Sequence, residues 1–159
     1  MSREVTTFPA VDRAPIDVAT RAVARLSKVV ERALEEVDLS LPQYRLMVLL
    51  VDGSAVATAL ARRLTVSRPS ITALADGLVL RGFVERVPDV RDRRCVTHSL
   101  TPAGHAALER GDAAIRGRLE DTVAHLPARQ RKAAIDGLGL WLEALDAARE
   151  AQEAEVASA

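Results

Sequence analysis

The chain has a single cysteine, Cys95, among 159 residues, which excludes an internal disulfide framework and a cysteine-built zinc centre. Its three histidines, His98, His105 and His125, are scattered without metal-ligand spacing, so no metal site is expected. There is no glycine-rich phosphate loop, no nucleophile elbow and no pair of carboxylates set for acid–base work; neither an enzyme nor a cofactor is expected. No apolar run approaches the ~20 residues needed to span a bilayer. Residues 1–14 mix charges, threonines and one proline with no hydrophobic core segment, so they read as a loosely ordered arm and not a secretory signal. These absences together predict a cytoplasmic protein without membrane attachment.

Net charge is also lacking, at zero, but its distribution is uneven. Arg62, Arg63, Arg68, Arg81, Arg86, Arg91, Arg93 and Arg94 face only Asp76, Glu85, Asp89 and Asp92, so residues 62–94 carry +4 and the remainder −4. Such a dipole turns one face of a molecule towards phosphate and holds the other away from it.

With 48% hydrophobic residues, the chain has enough apolar surface for a core, and its periodicity is mostly helical. Ile16, Ala19, Val23, Leu26, Val30, Leu34 and Val37 recur at three- and four-residue steps and predict a helix over Pro15–Asp38. A second helix is expected after Ser40-Leu41-Pro42, through Gln43 to Val51, halted by Asp52-Gly53-Ser54. A third is read over Ala55–Leu64, and a fourth from Ser67 to about Arg81, ending at Gly82. Phe83–Val87 and Cys95–Leu100 alternate as strands do, and the charged turn Pro88–Arg94 joins them as a β-hairpin. Thr101 and Pro102 open a helix that reaches His125, Leu126-Pro127 breaks it, and a last helix runs from Ala128 to about Ala151. Ile135, Leu138, Leu142 and Leu145 make a short pairing seam on that helix. Residues 152–159 read as a frayed tail.

The third and fourth helices form a helix-turn-helix. Leu60, Ala61 and Leu64 supply one inner face, Ile71, Leu74 and Leu78 the other, and Val66 is expected to plug the turn between them. Ser67, as N-cap, leaves Arg68, Ser70, Thr72 and Ala73 facing outwards at the start of the second of these helices. Small polar and arginine side chains there suit base edges and phosphates, and the free N–H groups of a helix start suit phosphate. Arg62 and Arg63 are candidate phosphate neighbours, as is Arg81. Asp89, Arg91, Asp92, Arg93 and Arg94 cannot enter a core, so the hairpin tip must meet solvent; an arginine there can enter a narrow minor groove.

Leu64-Thr-Val-Ser-Arg-Pro-Ser-Ile-Thr-Ala-Leu74, Arg81-Gly82-Phe83-Val84, Asp89-Val-Arg-Asp-Arg-Arg94 and Leu100-Thr-Pro-Ala-Gly104 together resemble the multiple-antibiotic-resistance regulator (MarR) family. The resemblance covers about residues 60–104. It implies a mostly α fold with a small β-hairpin: a winged helix-turn-helix at 42–100 within one domain over 15–151, with N- and C-terminal dimerisation helices at 15–38 and 101–151. It implies a homodimer, usually a repressor, on pseudo-palindromic double-stranded DNA, released by small phenolic or aromatic ligands. Ser67, Arg68, Ser70 and Thr72 carry over as recognition residues and Arg91 as the wing contact. Ala73 stands where many members have arginine or another polar residue. Ile16, Leu119, Val123, Ile135, Leu138, Leu142 and Leu145 fall on the implied dimer interface. Arg25, Tyr44 and Arg45 lie where the family lodges its ligands, and a tyrosine with arginines can stack on and pair with an aromatic carboxylate. Two other uses of the chain are open from sequence: a winged helix that binds protein instead of DNA, and a redox switch through Cys95, whose thiol would need a lowered pKa.

Overall fold

The computed structural model describes residues 13–51, 53–88 and 96–157. Its elements are α1 (Arg13–Glu35), α2 (Leu41–Leu49), β1 (Ala55–Val56), α3 (Ala57–Leu64), α4 (Arg68–Leu80), β2 (Val84–Pro88), β3 (Val96–Leu100), α5 (Pro102–Ala124) and α6 (Ala128–Ala157). The chain divides into two compact units, residues 1–115 and 116–159.

In the first unit, the apolar stripe of α1 has two fates. Ala33 and Leu34, near its end, are buried, whereas Ile16 and Val23, near its start, are exposed. The helix stops at Glu35 and not at Asp38, because Asp38 takes a left-handed conformation (φ 57°) that lets Leu39 N–H reach back to Leu34 C=O at 2.9 Å. Aspartate tolerates that region better than most residues. Leu39 is thereby turned into the core. Helix α2 opens with a reciprocal cap: the Ser40 hydroxyl accepts from Gln43 N–H, and the Gln43 side chain accepts from Ser40 N–H.

Leu34, Leu46, Met47, Leu50, Leu60, Ile71, Leu78, Val84, Leu100, Ala107 and Leu108 form one apolar cluster that joins α1–α5 and the sheet. Truncating a fully buried leucine such as Leu46 or Leu60 to alanine costs ~2–5 kcal/mol. The cluster fixes α4 and the hairpin relative to one another.

Residues 55 and 56 are a short strand and not the first turn of α3. Ala55 pairs with His98 and Val56 with Thr97, giving an antiparallel sheet in the order β1-β3-β2. Two residues carry too little alternation to announce a strand; the pairing with β3 decides their conformation.

The turn of the helix-turn-helix is closed by backbone, not by Val66. Thr65 is left-handed (φ 54°), its N–H bonds Ala61 and Arg62 C=O, and Val66 N–H bonds Ala61 C=O at 3.0 Å. Val66 itself is 40% exposed, which corrects its assignment as a plug.

The second unit holds the end of α5 and all of α6. Arg131 Nε and a terminal guanidinium nitrogen donate to the Leu126 and Ala124 carbonyls, both at 3.0 Å, capping the turn between these helices. Helix α6 continues to Ala157, beyond the expected stop near Ala151, so residues 152–157 are helical rather than frayed. No proline or glycine follows Gly139 to end it.

Candidate nucleic-acid interface

Helix α4 begins as a helix built for an exposed N-terminus. The Ser67 hydroxyl accepts from Ser70 N–H at 3.3 Å, its oxygen lies 2.8 Å from Ser70 Oγ, and Pro69 sits in the first turn, where its missing N–H costs nothing. Ile71, Ala75 and Leu78 point into the core. Ser67, Arg68, Ser70, Thr72 and Ala73 are all exposed, on the face that the sequence assigned to them. Thr72 Oγ1 donates to Arg68 C=O at 3.0 Å, so its hydroxyl proton is used within the helix. What Thr72 offers outwards is a methyl group and acceptor lone pairs, and a methyl suits contact with thymine.

Arg62 and Arg63 occupy the last turn of α3 and are exposed. Among the described residues no ion pair claims Arg62, Arg63 or Arg68. Arg81 has another use. One of its terminal nitrogens donates to Asp38 C=O at 2.6 Å, and its guanidinium lies 4.6 Å from the Phe83 ring centroid. This exposed side chain fastens the end of α4 to the α1–α2 turn.

The hairpin that follows is anchored at its base. Gly82, at φ 69°, ends α4 in the left-handed region that favours glycine. Thr101 then joins the two sides: its N–H donates to Phe83 C=O at 3.0 Å, its hydroxyl donates to Gly82 C=O at 2.6 Å, and its Oγ1 accepts from Gly104 N–H at 3.0 Å. A Cβ on Gly104 would lie 2.0 Å from the Phe83 carbonyl oxygen. Glycine at 104 is therefore a matter of close approach between α5 and the start of β2, and Thr101-Pro-Ala-Gly104 clamps both ends of the hairpin.

Between strand and helix runs a chain of polar groups that spacing alone did not disclose. Arg86 on β2 pairs with Asp76 on α4, and its Nε–H donates to His98 Nε2 on β3 at 3.4 Å. His98 is only 5% exposed. Burial pushes its pKa below the ordinary histidine value; the Arg86 charge adds to the effect, and an Ala55 backbone contact and Asp76 oppose it. The strand register brings Arg86 opposite His98, and this pairing is the signal that a full hairpin alignment would have exposed. Arg91, Arg93, Arg94 and Cys95 lie outside the described residues.

The residues read as a ligand cradle are placed separately. Arg25 and Arg45 are exposed. Tyr44 is half-buried, and its hydroxyl donates to Asp112 Oδ1 at 2.6 Å. Burial first, then Asp112, raises the pKa of the phenol. Of the seven candidate dimer residues, Ile16, Ile135, Leu138, Leu142 and Leu145 are exposed in the single chain; Leu119 and Val123 are half-buried.

A helix-turn-helix whose second helix shows its N-terminal face, followed by an antiparallel wing, defines a winged-helix protein. Residues 39–96, from α2 into β3, match the MarR family. That match covers the winged-helix segment of the chain, and the relatives named below are called transcription regulators. The chain is 34% identical over 88 residues to the HTH-type transcriptional repressor YetL of Bacillus subtilis, covering 54% of this chain and 53% of that protein. It is also 29% identical over 119 residues to the HTH-type transcriptional regulator YfiV of the same organism, covering 72% of each. The chain thus spans only about half the length of YetL. Among solved structures, the apo form of wild-type MarR from E. coli superposes with a TM-score of 0.70 at 20% identity, over 85% of this chain and 98% of that one. The transcriptional repressor CouR bound to a 23-mer DNA duplex gives 0.64 at 24% identity, over 85% and 99%. These likenesses establish the winged-helix fold.

Proposed function

We propose that this chain is a sequence-specific DNA-binding transcription regulator, a homodimeric repressor acting on a pseudo-palindromic operator. The observation that carries the reading is the exposed N-terminal face of α4: Arg68, Ser70, Thr72 and Ala73 project from a helix held rigidly against the core, with Arg62 and Arg63 exposed on α3. Arg68 and Ser70 contact bases or adjacent phosphates, Thr72 presents its methyl, and Arg62 and Arg63 neutralise phosphate. Arg91, Arg93 and Arg94 provide the wing contacts, with Arg91 in the minor groove. The relatives' names support repression: YetL is called a transcriptional repressor, and the DNA-bound CouR likewise.

A second copy of the chain completes the regulator. Ile135, Leu138, Leu142 and Leu145 fall within ~80° of the circumference of α6 at 100° per residue, and all four are exposed. Such a stripe on a helix demands an apolar partner. With Ile16 on α1 and Leu119 and Val123 on α5, it forms the dimer interface of this proposal. No described helix is long and apolar enough to cross a membrane, and a DNA-binding regulator works in the cytoplasm. An aromatic effector at Arg25, Tyr44 and Arg45 would meet the Asp112 carboxylate beside the phenol, so a neutral phenol fits that place better than an acid.

The test is a fluorescence-anisotropy titration of the full chain against duplex DNA from its own upstream region and against scrambled DNA, at several salt concentrations. Preference for the upstream duplex, with affinity falling steeply as salt rises, is the expected result. Affinity that ignores salt would contradict the proposal and favour a protein-binding winged helix.

A further inference from the structure

Resting on the DNA-binding reading, one group in the wing has no role in contacting DNA yet sits where the wing meets the recognition helix. His98 lies in the centre of β3, opposite Arg86 on β2 and Ala55 on β1. It is buried, and its Nε2 accepts the Arg86 Nε–H. The same guanidinium pairs with Asp76, which is exposed on α4 between the base-facing turn and the helix end. A continuous path thus runs from α4 through Asp76 and Arg86 to the middle strand of the sheet.

We propose that His98 is a positioning residue which holds the wing to the recognition helix only while its imidazole is neutral, making DNA binding sensitive to acidification. An imidazole can accept the Arg86 N–H at Nε2 only when that nitrogen carries no proton. Accepting there places the single ring proton on Nδ1. Adding a second proton converts the acceptor into a cation facing a guanidinium. Arg86 must then leave His98, and β3 loses its link through Arg86 to Asp76.

The charges around the ring are few. Asp76 comes from α4 and Arg86 from β2; β1 contributes Ala55 and Val56, which carry none, and the charges of α3, Arg62 and Arg63, lie in its exposed last turn. Glu85, next along β2, is bonded to the Ser99 hydroxyl. Among the described residues, Asp76 is the one anion that favours a protonated His98, and Arg86 already engages it. The burial-lowered pKa agrees with a ring kept neutral in the folded protein.

The experiment compares the wild-type chain with His98→Gln, whose amide oxygen can still accept from Arg86 but does not titrate. Anisotropy titrations at constant ionic strength use the upstream duplex, from about pH 7.5 to about pH 5, a window that reaches below the ordinary histidine value because burial lowers that of His98. The wild type is expected to lose about tenfold or more in affinity across that range. His98→Gln is expected to change by less than about twofold. Equal slopes in the two proteins, or a flat wild-type profile, would overturn the proposal. A purely structural role would lower affinity at every pH and leave the slope unaltered.

A second readout needs no DNA. In NMR spectra the His98 ring signal, identified by its loss in His98→Gln, should titrate with a midpoint below the ordinary histidine value. The amide signals of Val84–Val87 and Val96–Leu100 should move with it in the wild type and stay still in the variant. Amides that ignore the His98 midpoint would overturn the proposal. If neither protein binds any duplex at pH 7.5, the DNA-binding reading fails on its own, and the NMR titration still decides whether His98 holds the wing.

Discussion

Replacing Gly104 with alanine tests the claim that Thr101-Pro-Ala-Gly104 clamps the wing to the recognition helix. In a helix interior the change is ordinarily favourable by ~1 kcal/mol, because glycine pays more backbone entropy than alanine. Here the added Cβ would lie 2.0 Å from Phe83 O, 2.9 Å from Phe83 C and 3.2 Å from Leu100 Cδ2. Two of these atoms are backbone, so the start of α5 must move off the start of β2. Overpacking of this kind costs ~1–3 kcal/mol. The movement also strains the Thr101 N–H bond to Phe83 C=O and the Thr101 hydroxyl bond to Gly82 C=O. Each contributes ~1 kcal/mol net. Subtracting the helix gain leaves a destabilisation of ~2–4 kcal/mol, which lowers Tm by roughly 5–15 °C for a chain of this size. Urea and thermal unfolding by circular dichroism read this directly, with Gly139→Ala as the contrast. Nothing lies within 4 Å of a Cβ at Gly139, so that variant should be as stable as wild type or more so. A Gly104→Ala protein within ~0.5 kcal/mol of wild type would refute the close-approach argument.

Other expectations follow from the same contacts. Tyr44 is the only tyrosine, and its phenol is half-buried and bonded to Asp112. Phenolate absorbance should appear only above the usual tyrosine range, and since the folded state disfavours phenolate, stability should fall as pH rises past the unfolded tyrosine pKa of ~10. An ordinary titration midpoint in the folded protein would contradict that geometry. Arg91→Ala should weaken DNA binding and lower the salt slope by about 1 per chain, as measured by anisotropy at graded salt; an unchanged slope would remove Arg91 from the interface. Leu142→Glu places a charge in the exposed stripe of α6 and should convert the dimer to monomer in light scattering after gel filtration; a variant that stays dimeric would move the interface elsewhere.

Local chemistry explains which parts of this fold were legible in the sequence. Ser40 with Pro42, Ser67 with Pro69, Thr101 with Pro102, and Gly82 each mark an element boundary through a cap or a left-handed turn, and each boundary stands within a residue or two of where it was read. The outward face of α4 follows from its helical period once Ile71, Ala75 and Leu78 are assigned inwards. What escaped depends on partners far away in the chain. Ala55 and Val56 become a strand only because β3 lies alongside, Arg81 bonds the distant Asp38 carbonyl, and Asp76, Arg86 and His98 meet only through the sheet register. Val66 shows a related failure: an apolar residue between two helices invites a packing role, but the left-handed Thr65 closes the turn through backbone bonds.

In the proposed complex, two copies of this chain set their α4 helices into successive major grooves. Hydroxyl-radical footprinting on the duplex that the protein selects tests it most directly. Two protected half-sites related by two-fold symmetry are expected, centred ~10–10.5 base pairs apart or a multiple of that, and lost together in Arg68→Ala. A single unsymmetrical footprint, or protection that survives Arg68→Ala unchanged, would contradict it.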